Sequence, residues 1–225
     1  MMMMIKRFLP FILFLIVPSL VFSQEKDFGI WYCVNAEIGL IRKLDLDVSG
    51  NIRTFRNASK IDESFAEIGL TYKISKRFSV AGAYRLTDKL EDDSKYHLDH
   101  KWFADIKAAG DIGRFSLSGR FRFQMQQRTY IKPDRDSVPY YHGRLKLGTK
   151  YKFKSFPLDP YLSYEIFWPM FKATENQIDK RRFTLGLEYK MKKRRSFELE
   201  YVFQRDYKPH LSDISIISLV YNFKI

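Results

Sequence analysis

The chain has 225 residues and a formal net charge of +13, with Lys+Arg 39 against Asp+Glu 26; it is rich in Phe (20) and Tyr (14) and contains a single cysteine, Cys33. One thiol excludes an intramolecular disulfide and a thiolate metal cluster. The basic residues are interleaved one-for-one with apolar residues rather than gathered in a tail or on a helix face, which excludes a nucleic-acid footprint.

At the start, Lys6 and Arg7 precede an apolar run from Phe8 to Phe22, followed by Ser23 and the polar Gln24, Glu25 and Lys26. The run is shorter than the roughly 20 residues of a membrane helix, and Val21 and Ser23 stand three and one positions before a plausible cut. Residues 1–23 are expected to be a cleaved secretory signal peptide. Residues 24–225 are expected to form one domain, since no repeat, low-complexity stretch or composition break divides them.

Beyond the leader the chain alternates with period two. From Arg114 to Arg128, Phe115, Leu117, Phe121, Phe123 and Met125 alternate with Ser116, Ser118, Arg120, Arg122 and Gln124. Only a β-strand puts these sets on two faces. The same reading continued along the chain gives eleven strands, near 28–42, 44–56, 63–75, 77–87, 98–109, 114–128, 140–153, 160–168, 181–191, 196–206 and 212–225. Most match the ~9–11 residues of a tilted membrane strand.

Alternation alone suits a membrane barrel, apolar outside, as well as a soluble one, apolar inside, so the connections must discriminate. Tight links near Lys43, Ser75, Gly110 to Gly113, Lys154 to Asp159 and Lys192 to Arg195 alternate with longer ones near 57–62, 88–97, 129–139, 169–180 and 207–211. That is the habit of short periplasmic turns and longer outer loops. Rings also gather at strand ends: Tyr72, Phe78, Phe115, Tyr151, Phe153, Tyr189 and Phe197 beside the short turns, and Tyr84, Trp102, Phe123, Tyr141, Trp168, Phe183 and Phe203 beside the longer loops. Two interfacial girdles are expected, with a leucine-rich band between them. The last strand carries Leu219, Tyr221, Phe223 and Ile225 on one face, similar to the terminal aromatic strand by which outer-membrane barrels are recognised for assembly.

The early Trp31, Arg53 at the end of the second strand, the run Arg120, Arg122 and Gln124, Arg144 with Leu145 and Leu147, Glu165 before Phe167, and Arg182 with Gly186 and Tyr189 together resemble the family designated domain of unknown function 2490, a set of predicted outer-membrane barrels. The resemblance implies location and architecture, and no activity. The expectation is an all-β, antiparallel up-and-down transmembrane barrel in the bacterial outer membrane. Because single-chain bacterial barrels normally have an even strand number, ten to twelve strands are expected and twelve preferred. The odd count is then put down to a missed strand or to Phe28–Trp31 folded into the lumen.

On the inner face Arg120, Arg122, Arg128, Arg144, Lys146 and Lys150 line the sixth and seventh strands, and Glu165, Glu188, Glu198, Glu200 and Asp206 the eighth to tenth. A basic wall beside an acidic one is either an internal salt-bridge lattice that fills a narrow barrel or the lining of a small anion-preferring pore or cleft. Catalysis has little support: His97, His100, His142 and His210 are the conventional bases, all near the longer loops, and His142 is followed by Gly143 and Arg144 with no serine two residues on. On a strand His97 and His100 would point to opposite faces, and two ligands are too few for a closed metal site. No catalytic residue, metal or cofactor is expected. The expected partners are outer-membrane lipid, the barrel-assembly machinery and, if the lumen is open, small anions, without nucleic acid. A lipid-modifying outer-membrane enzyme and a soluble periplasmic lipid-binding barrel are the alternatives.

Overall fold

A computed structural model describes residues 26–91, 93–130, 139–171, 178–207 and 211–225; the expected signal peptide and His210 lie outside them. The strands are β1 (Lys26–Ile41), β2 (Leu44–Phe55), β3 (Lys60–Lys73), β4 (Phe78–Leu90), β5 (Tyr96–Ile112), β6 (Phe115–Arg128), β7 (Tyr140–Tyr151), β8 (Leu158–Met170), β9 (Lys180–Met191), β10 (Arg195–Asp206) and β11 (Ser212–Lys224). Each pairs antiparallel with the next, and β1 and β11 close the barrel side by side.

That closure settles the strand number at eleven, not the preferred twelve. In a ring of up-and-down strands an odd count leaves the first and last strands running the same way, so only a parallel pair can join them. Here β1 and β11 pair in parallel from Lys26 opposite Asp213 to Glu37 opposite Lys224. Phe28–Trp31 is accordingly not a plug in the lumen but part of the first strand. Lys26 and Lys224 also stand at opposite ends of the barrel.

The two faces divide by chemistry. Outward residues such as Ile68, Leu70, Phe78, Phe115 and Leu147 are among the exposed large hydrophobics, while Asp99, Asp105, Glu165, Thr87 and Ser218 are buried. The barrel is apolar outside and polar inside, so its core is a hydrogen-bonded lattice rather than an oily one.

One end carries the links 42–43, 74–77, 113–114, 152–157 and 192–194; the other carries 56–59, 91–95, 129–139, 171–179 and 207–211. The expected longer loop near 57–62 is a tight turn instead. Arg56, Asn57 and Ala58 take left-handed backbone with φ of 52°, 54° and 60°, a cost of roughly 1–2 kcal/mol per residue. Asp27 offsets it by accepting the Arg56 and Asn57 amides on its two carboxylate oxygens, both at 2.9 Å.

Candidate functional site in the barrel lumen

Side chains on strands two apart can meet only on the concave inner surface, and such meetings locate the charged rows. Arg120 on β6 reaches Glu165 on β8 at 2.7 Å, Lys150 on β7 reaches Glu188 on β9 at 2.8 Å, and Tyr161 on β8 donates toward Glu198 and Glu200 on β10, the latter at 2.7 Å. Arg122, Arg144 and Lys146 share the inner parity of their strands with Arg120 and Lys150. These contacts bring Arg120, Lys150, Glu165, Glu188, Glu198 and Glu200 onto the concave inner surface.

They are not two separate walls. Glu165, 3% exposed, accepts from Arg120 and from Arg144 at 3.0 Å, with Arg182 at 3.7 Å from its other oxygen. One carboxylate thus anchors guanidinium groups from β6, β7 and β9. Arg122 turns the other way, making a bidentate pair with Asp105 at 2.6 and 2.7 Å. Lys146, opposite Glu165 in register, makes no hydrogen bond or ion pair among the described residues, the arginines having taken that acceptor.

Sequence reasoning missed the aromatic residues that share this face. Moving around the wall, Trp31 on β1, Arg53 on β2, Phe65 on β3, Arg85 on β4, Phe103 on β5, Arg122 on β6, Arg144 on β7, Phe167 on β8 and Arg182 on β9 form a belt of rings and guanidinium groups. Arg53 lies 4.0 Å from the Trp31 ring and 4.8 Å from Phe65. Arg85 lies 3.8 Å from Phe65 and 5.0 Å from Phe103, and Arg122 lies 4.2 Å from Phe103. Arg144 covers Phe167 at 4.4 Å, and Arg182 closes the circuit, 5.2 Å from Phe167 and 4.8 Å from Trp31. Where it passes β10 and β11, Val202 and Ile216 fill the gap at 1% and 2% exposure. A cation over a ring face is worth about 0.5–1 kcal/mol when exposed and about 2 when desolvated; rings stand between most neighbouring guanidinium groups, while Arg122 and Arg144, opposite each other in register, are drawn apart by Asp105 and Glu165. The signal for the belt was present as parity: Phe65 stands between Glu63 and Glu67 on the polar face of its strand, and Phe103 between Lys101 and Asp105.

Toward the short-turn end the inward residues become small, and a cavity of about 350 Å³ opens, its lining including Ser118, Lys146, Gly148, Lys150, Tyr161, Ser163, Glu188 and Glu198. Tyr161 lies flat over Gly186, where a Cβ would stand 2.3 Å from the ring, so that glycine is what admits the tyrosine. Glu198 is held by Tyr161 and by Asn222 at 2.7 Å.

The histidines are dispersed. His97 pairs with Asp93 at 2.8 Å and stacks on Tyr130; His100 is on the outer face, taking part in a hydrogen bond with the Tyr84 hydroxyl at 2.7 Å; His142 lies in the lumen 3.4 Å from Asp179. Cys33 is a free, half-buried thiol on the inner face.

No curated protein matches the sequence. Among solved structures the chain is similar to the β domain of the Bordetella autotransporter Brka, at 8% identity and a TM-score of 0.48 over 83% of each chain. It is also similar to a bacterial polysaccharide outer membrane secretin, at 10% identity and a TM-score of 0.48 over 76% of this chain and 71% of that one. The model of one family, described as a protein of unknown function (DUF2490), matches residues 28–214, nearly the whole barrel, and the chain belongs to that family.

Proposed function

We propose that this is a bacterial outer-membrane β-barrel with a lumen sealed toward its longer-loop end, a structural barrel rather than a passive pore or an enzyme. The outer membrane is the solvent that fits the faces: exposed hydrophobics such as Ile68, Phe78 and Leu147 outside, polar groups inside, and a closed ring that leaves no strand edge unpaired. A soluble lipid-binding barrel needs the reverse distribution, since its ligand sits against an apolar interior. With the longer loops outward, the C-terminal strand ends on the periplasmic side, where the assembly machinery would meet Tyr221 and Phe223.

The observation that carries the sealed lumen is the belt. Its guanidinium groups are bound to rings or carboxylates of other strands, and Arg122 is buried in the middle of it, so an ion crossing the barrel would have to displace this lattice. The excess of basic residues on β6 and β7 is absorbed mainly by Asp105, Glu165 and Glu188 and leaves little free positive field to select anions.

Two measurements test the proposal. Outer-membrane fractionation with heat-dependent migration in detergent gels should show a folded membrane barrel. The purified barrel in a planar bilayer should give no unit conductance, whereas steady anion-selective steps would overturn the sealed lumen in favour of a pore.

A further inference from the structure

We infer that the cavity on the short-turn side of the belt is a binding site for a small oxyanion, a carboxylate or phosphate on a hydroxylated body, with Lys146 as its counter-charge. The inference rests on the sealed lumen only for the direction of entry, which would be from the short-turn end.

Most of the charged groups that line the cavity already have partners. Lys150 is held by Glu188 at 2.8 Å, Lys152 by Asp111 at 2.8 Å, and Lys190 by Asp159. On the acidic side Glu198 already accepts from Tyr161 and Asn222, and Asp159 also accepts the Phe153 amide at 3.0 Å. Lys146 is the one lining ammonium without an ion pair among the described residues, and beside it the hydroxyls of Ser118 and Ser163 line the cavity without a hydrogen bond among the described residues. Glu165, the carboxylate opposite Lys146, is committed to Arg120 and Arg144.

An ammonium withdrawn from bulk water without a hydrogen-bonded partner is costly, and an anion brought to it regains charge-assisted hydrogen bonds in a region of low dielectric. The flanking serines supply further donors and acceptors, as an oxyanion bearing hydroxyls requires. The space, about 350 Å³, is at the lower end of the range for small-molecule sites and suits a single sugar-sized body. A passive lattice offers no reason to leave room there, because a leucine or glutamine at Ser118 would fill it.

Calorimetric titration of the folded protein in detergent, with sodium phosphate and separately with glucuronate, tests the inference and separates a bare phosphate from a hydroxylated carboxylate. Saturable one-site binding of at least one probe is expected. Lys146→Met should weaken it by roughly tenfold or more, the loss of a charge-assisted hydrogen bond, while Lys146→Arg should retain most of it. Lys60→Met, an exposed lysine at the longer-loop end and outside the cavity lining, should leave it nearly unchanged. Folding of each variant is read from heat-dependent migration, and Ser118→Leu serves as a second, uncharged way to close the cavity. Absence of saturable binding to both probes, or binding indifferent to Lys146→Met and Ser118→Leu in folded protein, would overturn the site. Neither result bears on conductance, so the sealed lumen stands or falls separately.

Discussion

The two halves of the lumen are made from the same alternating strands, yet one is closed and the other open. Toward the longer loops, the inward positions hold Trp31, Arg53, Phe65, Arg85, Phe103, Phe167 and Arg182, and these side chains interlock through cation–ring contacts and shared carboxylates. Toward the short turns the inward positions hold Ser116, Ser118, Gly148 and Ser163, and a cavity remains. Both halves are polar, so polarity does not decide which is shut. Side-chain size does, together with whether each charge finds a partner on another strand.

The largest loss should come from the carboxylate that ties the closed half together. Glu165→Gln removes the negative charge shared by Arg120, Arg144 and Arg182 and leaves buried guanidinium groups uncompensated, a situation that costs about 3–5 kcal/mol. Denaturant unfolding of the barrel in detergent should show the loss. A change below about 1 kcal/mol, the worth of an exposed surface pair, would mean that the belt is held by its rings alone.

The next comparison sets the outer surface against the open half. Leu147→Arg places a charge on the outer, apolar face at mid-strand, where about 2–4 kcal/mol is expected near the membrane midplane. Ser118→Arg, on the opposite face of the neighbouring strand, enters the cavity and should cost less. Equal destabilisation at both sites would undo the assignment of faces.

A smaller effect separates the two halves directly. Val202→Ala truncates a side chain that is only 1% exposed, and should cost about 1–3 kcal/mol by analogy with other core truncations. Ser118→Val adds apolar bulk where there is room, and should be close to neutral. Thermal unfolding followed by circular dichroism ranks the two, and a reversed order would place the packed region at the wrong end.

The strands were legible in the sequence because period two is a local signal: all eleven have counterparts within a few residues of where alternation puts them. Their closure was not legible. The pairing of β1 with β11 joins residues almost the whole chain apart, from Lys26 with Asp213 onward, and nothing in either strand announces a parallel neighbour. An expectation of even parity therefore pulled the count toward twelve. The short turn at Arg56–Ala58 was hidden for a related reason, since its left-handed backbone is supported by Asp27 from another strand. In the lumen, the charged rows on β6 to β10 could be read from parity, whereas Asp105 as the partner of Arg122, and Trp31 between Arg53 and Arg182, depend on register and on contacts across the interior.

The smallest predicted effect comes from a pair that resembles those of the belt in chemistry and differs in setting. Lys152 and Asp111 meet at 2.8 Å with side chains 44% and 59% exposed, whereas Arg122 and Asp105 meet at 2.6 Å with side chains 8% and 2% exposed. At the exposed rim, water screens the attraction and ordering a long lysine costs entropy, so a double-mutant cycle on Lys152→Ala and Asp111→Ala should return a coupling of about 0.2–1 kcal/mol. The same cycle on Arg122→Ala and Asp105→Ala should return a larger coupling, because either single substitution leaves the other charge buried without its bidentate partner. Raising the salt concentration sharpens the contrast: the rim coupling should shrink toward zero as screening lengths fall to a few ångströms, and the belt coupling should change little. Two couplings of similar size and similar salt response would mean that solvent reaches the belt, and the closed half of the lumen would then be as wet as the open one.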